Sequence, residues 1–322
     1  MTDDQLEMRL LGAMLRLRMV EEAIAAHYPE QEMRCPVHLS IGQEAPSAAF
    51  SLAVQREDLA VSTHRGHAHY LAKGGALGPM IAEIYGKSTG CSKGRGGSMH
   101  LADKDAGFMG TSAIVGNSIP VGVGLGLALQ IQGRAQASCV FIGDGATEEG
   151  VYYESANFAV VKNLPVVFLC ENNRYSVYSP LSVRQPEGRS LTRVATSLGL
   201  TSVEVDGNDA IACYHAVDRA LQQARGGGGP QFLEFHTFRH LEHCGPNDDD
   251  HLDYRQPGEL QSWQQRDPID LLQAKLLLTN HDLSSEIQPI RERISNEIET
   301  AFAEAAAAPF PDLEECMRDV YA

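Results

Sequence analysis

Two oxygen-bearing side chains occupy matching positions in the middle of the sequence. Asp144 lies in the segment 143–146 (GDGA) after the apolar run 138–142 (SCVFI), and Asn173 follows 29 residues later, after the apolar run 165–169 (PVVFL). Carboxylate, amide and carbonyl oxygens are hard ligands that suit Mg²⁺, and a diphosphate can supply the further oxygens that the ion needs. GDG alone is more typical of an acidic turn in a doubly wound domain, but the whole spaced frame favours the metal site.

The elements around this pair form a βαβ unit. Short apolar runs predict buried strands, and apolar residues at helical spacing over 148–161 predict a helix between the two strands. Asp144 and Asn173 would then lie at the carboxyl ends of parallel strands, the edge at which open sheets bind ligands. Further helices are predicted at 4–26, 77–85, 114–130, 191–198, 210–225, 267–278 and 283–307, and further strands at 202–205 and 231–236.

This alternation predicts an α/β fold with a doubly wound, mostly parallel sheet and helices on both faces. We expect a single domain over residues 1–322, with helical extensions at both ends. The glycine-rich segment 87–113 and the polar segment 240–255 have little periodicity and are predicted to be functional loops. The string 122–126 (GVGLG) resembles a dinucleotide motif but follows a loop, so its small residues favour close helix–helix packing instead.

The composition excludes several classes of partner. The chain has 26 Lys and Arg against 42 Asp and Glu, a net charge of −16, which argues against a nucleic-acid or anionic membrane surface. No apolar run approaches the ~20 residues of a membrane span, and the acidic first segment is not a secretory signal. The cysteines are odd in number and form no CxxC pair, which predicts reduced thiols in the cytoplasm. They lie at positions 35, 91, 139, 170, 213, 244 and 316.

The spaced frame, GDG followed by NN, resembles the thiamine-diphosphate fingerprint. The segments 38–45 (HLSIGQEA) and 90–100 (GCSKGRGGSMH), together with Asp267-Pro268 before a helix, resemble the alpha subunits of the 2-oxoacid and acetoin dehydrogenases. The similarity covers nearly the whole chain, and the segment 63–69 (THRGHAH) looks closest to the acetoin type. The resemblance implies a thiamine-diphosphate-binding fold, with thiamine diphosphate and Mg²⁺ as cofactors.

The resemblance also implies roles for individual residues. Mg²⁺ would be bound by Asp144, the side chain of Asn173 and the carbonyl of Tyr175. Gly145 would let the backbone approach the diphosphate, and the guanidinium groups of Arg65 and Arg239 would bind phosphate oxygens. The remaining cofactor contacts implied in this way are Gly143, Ala146 and His64, and the backbone of Ala113 and Val115 at the aminopyrimidine.

Histidines supply the implied catalytic groups. His243 matches the loop histidine that handles the intermediate and its transfer to a lipoyl arm, and His67 and His100 are second candidates. The run of His64, His67 and His69 also raises a zinc alternative, although no further ligand is evident nearby. Cys244 stands where pyruvate-type chains have a phosphorylated serine, so control by phosphate is not expected there, and the substrate stays open.

The resemblance covers only the diphosphate-binding half of such an enzyme. The glutamate that activates thiamine diphosphate would come from a beta subunit, in an assembly of two alpha and two beta chains. Glu44 and Glu148 are alternatives within the chain, for which structural or subunit contacts are favoured. The implied activity is decarboxylation of a 2-oxoacid or cleavage of acetoin, with the acyl unit passed to a lipoyl acyltransferase. A carboligase without a lipoyl partner and a non-catalytic binding subunit are the alternatives.

Overall fold

A six-stranded parallel sheet forms the centre of the protein. The computed structural model describes residues 3–279, 282–315 and 318. The strands of the sheet stand in the order β2-β1-β3-β4-β8-β7, and a separate antiparallel hairpin pairs β5 with β6. The strands are β1 (Leu59–Ser62), β2 (Phe108–Thr111), β3 (Ser138–Gly143), β4 (Val166–Asn172), β5 (Tyr175–Ser176), β6 (Ser179–Pro180), β7 (Thr201–Asp206) and β8 (Gln231–His236).

Helices cover both faces of this sheet. They are α1 (Asp3–His27), α2 (Glu44–Ala53), α3 (His67–Ala72), α4 (Leu77–Ile84), α5 (Ser118–Ile131), α6 (Gly150–Val161), α7 (Leu181–Arg184), α8 (Leu191–Ser197), α9 (Ala210–Arg225), α10 (Glu259–Gln264), α11 (Pro268–Thr279) and α12 (Leu283–Ala307). Within the residues that the structure describes, none of these helices combines the length and the apolarity needed to cross a membrane.

The two central strands divide the core into two clusters. Successive side chains of a strand point to opposite faces, so Phe141 and Leu169 pack with α1, α2 and α9, whereas Val140 and Phe168 pack with α5, α6 and α8. Because both faces are covered, each of these strands is a continuous apolar run rather than an alternating one. The predicted doubly wound parallel sheet with helices on both faces is confirmed.

The carboxyl edge of the sheet brings the chemical loops together. In the strand register, Gly143 stands opposite Glu171, and Asn172 stands opposite His236. The chain therefore leaves β3, β4 and β8 at one level, and a 3₁₀ turn, Asp144–Glu148, starts directly after β3. This edge is the place predicted for the ligand loops.

Several predicted boundaries were wrong. The segment 87–113 was predicted as a loop, but it contains β2, an edge strand that pairs with β1 alone in the described sheet. The helix predicted from residue 114 begins at Ser118, since Gly116 has a left-handed φ of 79°. The strand predicted at 165–169 runs on through Asn172, whose side chain donates to Glu234 Oε1 at 2.8 Å. The strands β1, β5 and β6 and the helices α2, α3, α7 and α10 were not predicted.

The glycines of α5 allow close packing, but against the sheet rather than against another helix. A Cβ at Gly122 would lie 2.3 Å from Val140 Cγ2, and one at Gly126 would lie 2.5 Å from Val166 Cγ2. Real Cβ atoms do not approach other atoms so closely, so only glycine fits at these two positions. The string GVGLG is therefore a packing feature, as its position after a loop indicated.

Candidate active site

A cavity of about 110 Å³ opens at the carboxyl edge of β1, β3 and β4. Five segments line it: the loops that follow β1, β3 and β4, the loop before α5, and the loop after β8. The lining residues are Thr63, His64, Arg65, Val115, Gly116, Ile142, Gly143, Asp144, Gly145, Ala146, Glu171, Asn173, Tyr175, Ser176, Val177 and His243. The fold thus brings most of the predicted cofactor residues to one place.

Asp144 is a buried carboxylate that already has a cationic partner. Its side chain is almost inaccessible, and burial raises its pKa above the usual range, which Arg184 of α7 partly offsets. Arg184 donates hydrogen bonds to both Asp144 and Glu148. Glu148 does not line the cavity, and its carboxylate accepts hydrogen bonds from Arg184 and Gln185.

Asn173 and Tyr175 flank a tight turn after β4. Between them, Arg174 has a left-handed φ of 73°, and Tyr175 N donates to Asn173 Oδ1 at 3.2 Å. The amide nitrogen of Asn173 donates to Gln43 Oε1 at 3.2 Å, which fixes its orientation. Asn173 Oδ1 and the backbone of Tyr175 therefore lie together, and both residues line the same cavity as Asp144.

The two predicted phosphate-binding arginines have different surroundings. Arg65 lines the cavity and donates to Leu39 O at 2.6 Å and to His243 O at 3.1 Å. Its pKa is lowered to about 10 by burial and by the charge of Arg239. Arg239 itself is not a lining residue: it is buried and donates to Leu241 O at 2.5 Å and to Val177 O at 2.9 Å.

Three imidazole rings meet at the cavity, and those of His64 and His243 line it; we call this group the histidine side, and the loops that carry Asp144 and Asn173 the metal side. The ring centroids of His38 and His64 are 4.6 Å apart, those of His38 and His243 are 5.1 Å apart, and those of His64 and His243 are 5.3 Å apart. Burial, followed by the charge of Arg65, lowers the pKa of His38 to about 2, that of His64 to about 4 and that of His243 to about 3. All three rings are therefore neutral near pH 7 in the isolated chain.

The other predicted histidines lie elsewhere. His67 is buried between Glu21 Oε2, at 3.0 Å, and Ser98 Oγ, at 2.7 Å. His69 is buried between Ser62 Oγ, at 2.6 Å, and Glu171 Oε1, at 3.0 Å. His100 contacts Gly96 O at 3.1 Å, and neither it nor His67 lines the cavity. Because His67 and His69 bind separate partners, the zinc alternative for the run of His64, His67 and His69 was wrong.

The loop before α5 presents an apolar surface beside the cavity. The side chain of Val115 is 52% exposed, that of Ile114 is 68% exposed, and Val121 on α5 is 49% exposed. Ala113 belongs to the same loop but does not line the cavity. Exposed apolar side chains grouped beside a cleft are typical of a protein interaction surface.

Sequence reasoning missed four residues of this site. Glu171, Gln43 and His38 stand in segments that were recognised as similar to the family, but they received no role. Arg184 had no signal at all, because its segment 181–184 has neither a motif nor a distinctive spacing. Its role becomes visible only when α7 packs beside the turn that carries Asp144.

Comparisons with known proteins match nearly the whole chain. A family model described as "Dehydrogenase E1 component" matches residues 12–314. The alpha subunit of acetoin:2,6-dichlorophenolindophenol oxidoreductase from Bacillus subtilis (strain 168) is 35% identical over 309 residues, which cover 96% of this chain and 91% of the relative. The subunit of the same name from Cupriavidus necator is 34% identical, with coverages of 96% and 92%. The pyruvate dehydrogenase E1 component subunit alpha of Rickettsia bellii (strain RML369-C) is also 34% identical, with coverages of 96% and 93%.

Proposed function

Because this chain belongs to the dehydrogenase E1 component family, as an alpha subunit of the thiamine-diphosphate-dependent pyruvate and acetoin type, we propose that it cleaves a hydroxyketone such as acetoin, or decarboxylates a 2-oxoacid. The acyl unit would pass to a lipoyl acyltransferase. We place this activity in the cytoplasm, where the free thiols of the six described cysteines stay reduced; Cys316 lies outside the described residues. Neither a carboligase nor a non-catalytic subunit has an observation in its favour.

The residues of the cavity fit thiamine diphosphate. Gly143 has open space where a Cβ would lie, so the backbone can approach a ligand there. Arg65 faces the cavity, and the buried Nε of Arg239 has no hydrogen-bond partner among the described residues. A buried donor without an acceptor is costly, and a phosphate oxygen is a suitable acceptor for it. When bound, the cofactor would supply the carbanion chemistry that breaks the carbon–carbon bond.

Mg²⁺ fits the oxygens on the other side of the same cavity. Asp144, the side chain of Asn173 and the carbonyl of Tyr175 form a hard oxygen set, which a diphosphate would complete. In the cofactor-free chain the Arg184 guanidinium pairs with the Asp144 carboxylate. The surroundings of Asp144 therefore already accommodate a positive charge beside it. Gly143, Gly145 and Ala146 would hold the diphosphate through their backbone, with Ala113 and Val115 contacting the aminopyrimidine.

The activating glutamate is proposed to come from a beta subunit. The two carboxylates that line the cavity are committed, Asp144 to Arg184 and Glu171 to His69. Glu44 is buried, and its carboxylate accepts from Arg18 and from Gly42 N. The exposed apolar surface of Ile114, Val115 and Val121 lies beside the cavity, where a partner could complete the site. We therefore propose a heterotetramer of two alpha and two beta chains.

The histidine side of the cavity favours a hydroxyketone over a 2-oxoacid. A 2-oxoacid has a carboxylate that needs a cation, but the three imidazoles are neutral, and Arg65 already donates to two carbonyls. Cleaving a hydroxyketone requires removal of its hydroxyl proton, which a neutral imidazole can accept. An anionic diphosphate nearby would also raise the pKa of these rings towards the range of a useful base. His243 is the proposed base, because it lines the cavity, whereas the second candidates, His67 and His100, do not.

A single observation carries this proposal: the convergence of Asp144, Asn173, Tyr175 and Arg65 on one cavity in a chain of this family. The test is calorimetric titration of thiamine diphosphate with Mg²⁺ into the chain alone and into the chain with its beta subunit. We expect tight binding only with the partner, followed by turnover of acetoin at a higher kcat/KM than pyruvate. Absence of binding in both preparations would refute the catalytic proposal.

A further inference from the structure

The three imidazoles of His38, His64 and His243 form a group that the proposed reaction does not fully explain. One ring nitrogen from each residue can be chosen so that all three nitrogens lie within 4.8 Å of one another. The residues come from three separate places in the chain: the segment before α2, the loop after β1 and the loop after β8. Such convergence is a property of the fold and not of local sequence.

One nitrogen of this group lacks a partner. His38 is 6% exposed, and its Nδ1 makes no hydrogen bond to any residue that the structure describes. Buried polar atoms are almost always satisfied, so an unpaired nitrogen on a ring that contacts two other imidazoles is a candidate metal ligand. Neutral imidazole is among the commonest ligands of transition metals in proteins, and the low pKa values of these three rings leave one nitrogen of each ring unprotonated.

The geometry is close to that of a known class of metal site. Three histidines with an open fourth position bind Zn²⁺ tetrahedrally, with Zn–N distances near 2.0–2.1 Å and hence about 3.3 Å between nitrogens. From a separation of 4.8 Å or less, each nitrogen needs to move by less than about 1 Å, which small ring rotations provide. Hard cations such as Mg²⁺ prefer oxygen, so this group and the Asp144 side of the cavity select different metals.

One neighbour opposes cation binding. The guanidinium of Arg65 lies 3.4 Å from Nδ1 of His243, so His243 would bind a metal through Nε2. The negative charges of Glu21 and Glu171 partly offset the positive charge of Arg65, and so reduce its repulsion of a bound cation. We expect the affinity to be lower than that of a three-histidine site without a neighbouring cation.

We propose that His38, His64 and His243 form a binding site for a late first-row transition-metal ion of the zinc type, separate from the magnesium site at Asp144. A bound ion would take up the ring nitrogens of His64 and His243. If the proposed function holds, the metal is therefore an inhibitor that acts at the histidine side of the active site. Binding itself does not depend on the proposed function and is measured without turnover.

The experiment uses the metal-free, tag-free full-length chain, titrated with Zn²⁺ by calorimetry and with Co²⁺ by absorption spectroscopy. We expect one ion per chain and the spectrum of tetrahedral Co²⁺. His38→Gln and His64→Gln should each weaken binding by about tenfold or more, since even residues outside the ligand shell change metal affinity by 10- to 100-fold. Because these two histidines lie on different segments, misfolding of one variant would leave the other to decide.

Two control variants separate this site from its alternatives. A second group of suitable ligands, Glu204, Glu234 and His236, lies at the carboxyl end of β7 and β8, so His236→Gln tests that site. Cys244→Ser tests the exposed thiol beside His243. We expect both controls to bind Zn²⁺ as the wild type does. Absence of binding, normal binding by both histidine variants, or loss of binding in either control would overturn the proposal.

Discussion

The two sides of the cavity differ in charge and in origin. The metal side is built from the loops after two adjacent strands, and its carboxylate, Asp144, is paired with Arg184. The histidine side is assembled from three distant segments and contains neutral rings beside Arg65. In the proposed function, the first side would hold an ion and an anionic cofactor, whereas the second would handle protons. A single cavity would thus separate cofactor binding from proton transfer.

Removal of the carboxylate on the metal side has the largest expected effect. Asp144→Ala deletes a proposed magnesium ligand, and we expect Mg²⁺-dependent binding of thiamine diphosphate to weaken by at least about 100-fold and activity to disappear. Calorimetry on the chain with its beta subunit measures this. Glu148→Ala is the matched control, because Glu148 also binds Arg184 but lies outside the cavity. Equal losses in both variants would mean that Arg184, and not the metal, explains the effect.

A substitution on the histidine side should affect turnover and not cofactor binding. His243→Ala should lower kcat for acetoin by about 100-fold, the usual contribution of a general base, while cofactor binding stays close to that of the wild type. His251→Ala, an exposed histidine of the same loop, should change neither quantity. If His243→Ala abolished cofactor binding as Asp144→Ala does, the two sides would not be functionally distinct, and the comparison would fail.

The ion pair on the metal side also predicts an effect on stability. Arg184→Gln leaves Asp144 buried without its cation, and breaking a buried pair in this way costs about 3 kcal/mol of unfolding free energy. Denaturant unfolding of the cofactor-free chain measures it, with the exposed Arg189→Gln as control. Mg²⁺ and thiamine diphosphate, added with the beta subunit, should reduce the deficit, since Mg²⁺ would then neutralise Asp144. A deficit that the cofactors leave unchanged would show that Asp144 does not bind the metal.

The same contrast explains how much the sequence could predict. Asp144 and Asn173 were found because their strands, turn and helix are consecutive in the chain, and the bounds of α9 and β8 matched the prediction to the residue. The cluster around His38 was missed, because its members meet only after β1 and β8 take their places in the sheet. The edge strand β2 was missed because its sequence, FMGT, contains a glycine and too few apolar residues. The single-domain assignment and the roles of the site residues stay predictions.

The histidine side predicts a further effect, a change of stability with pH. In the folded chain the pKa of His64 is lowered to about 4 and that of His243 to about 3, whereas in the unfolded chain both are near 6.5. The unfolded state therefore binds more protons between these values, so the stabilisation is complete above pH 6.5 and is lost as the pH falls towards 4. Thermal unfolding of the cofactor-free chain should show this loss between pH 7.5 and pH 5.

Carboxylates titrate in part of the same range, so the histidine contribution is isolated by a variant. His64→Gln cannot take up the proton, and its unfolding temperature should fall less over this range than that of the wild type. His251→Gln, which changes an exposed histidine, should fall as much as the wild type does. If the unfolding temperature fell equally in all three proteins, the loss of stability at low pH would come from the carboxylates and not from His64. The neutral character of the histidine side, on which the preference for a hydroxyketone depends, would then have to be abandoned.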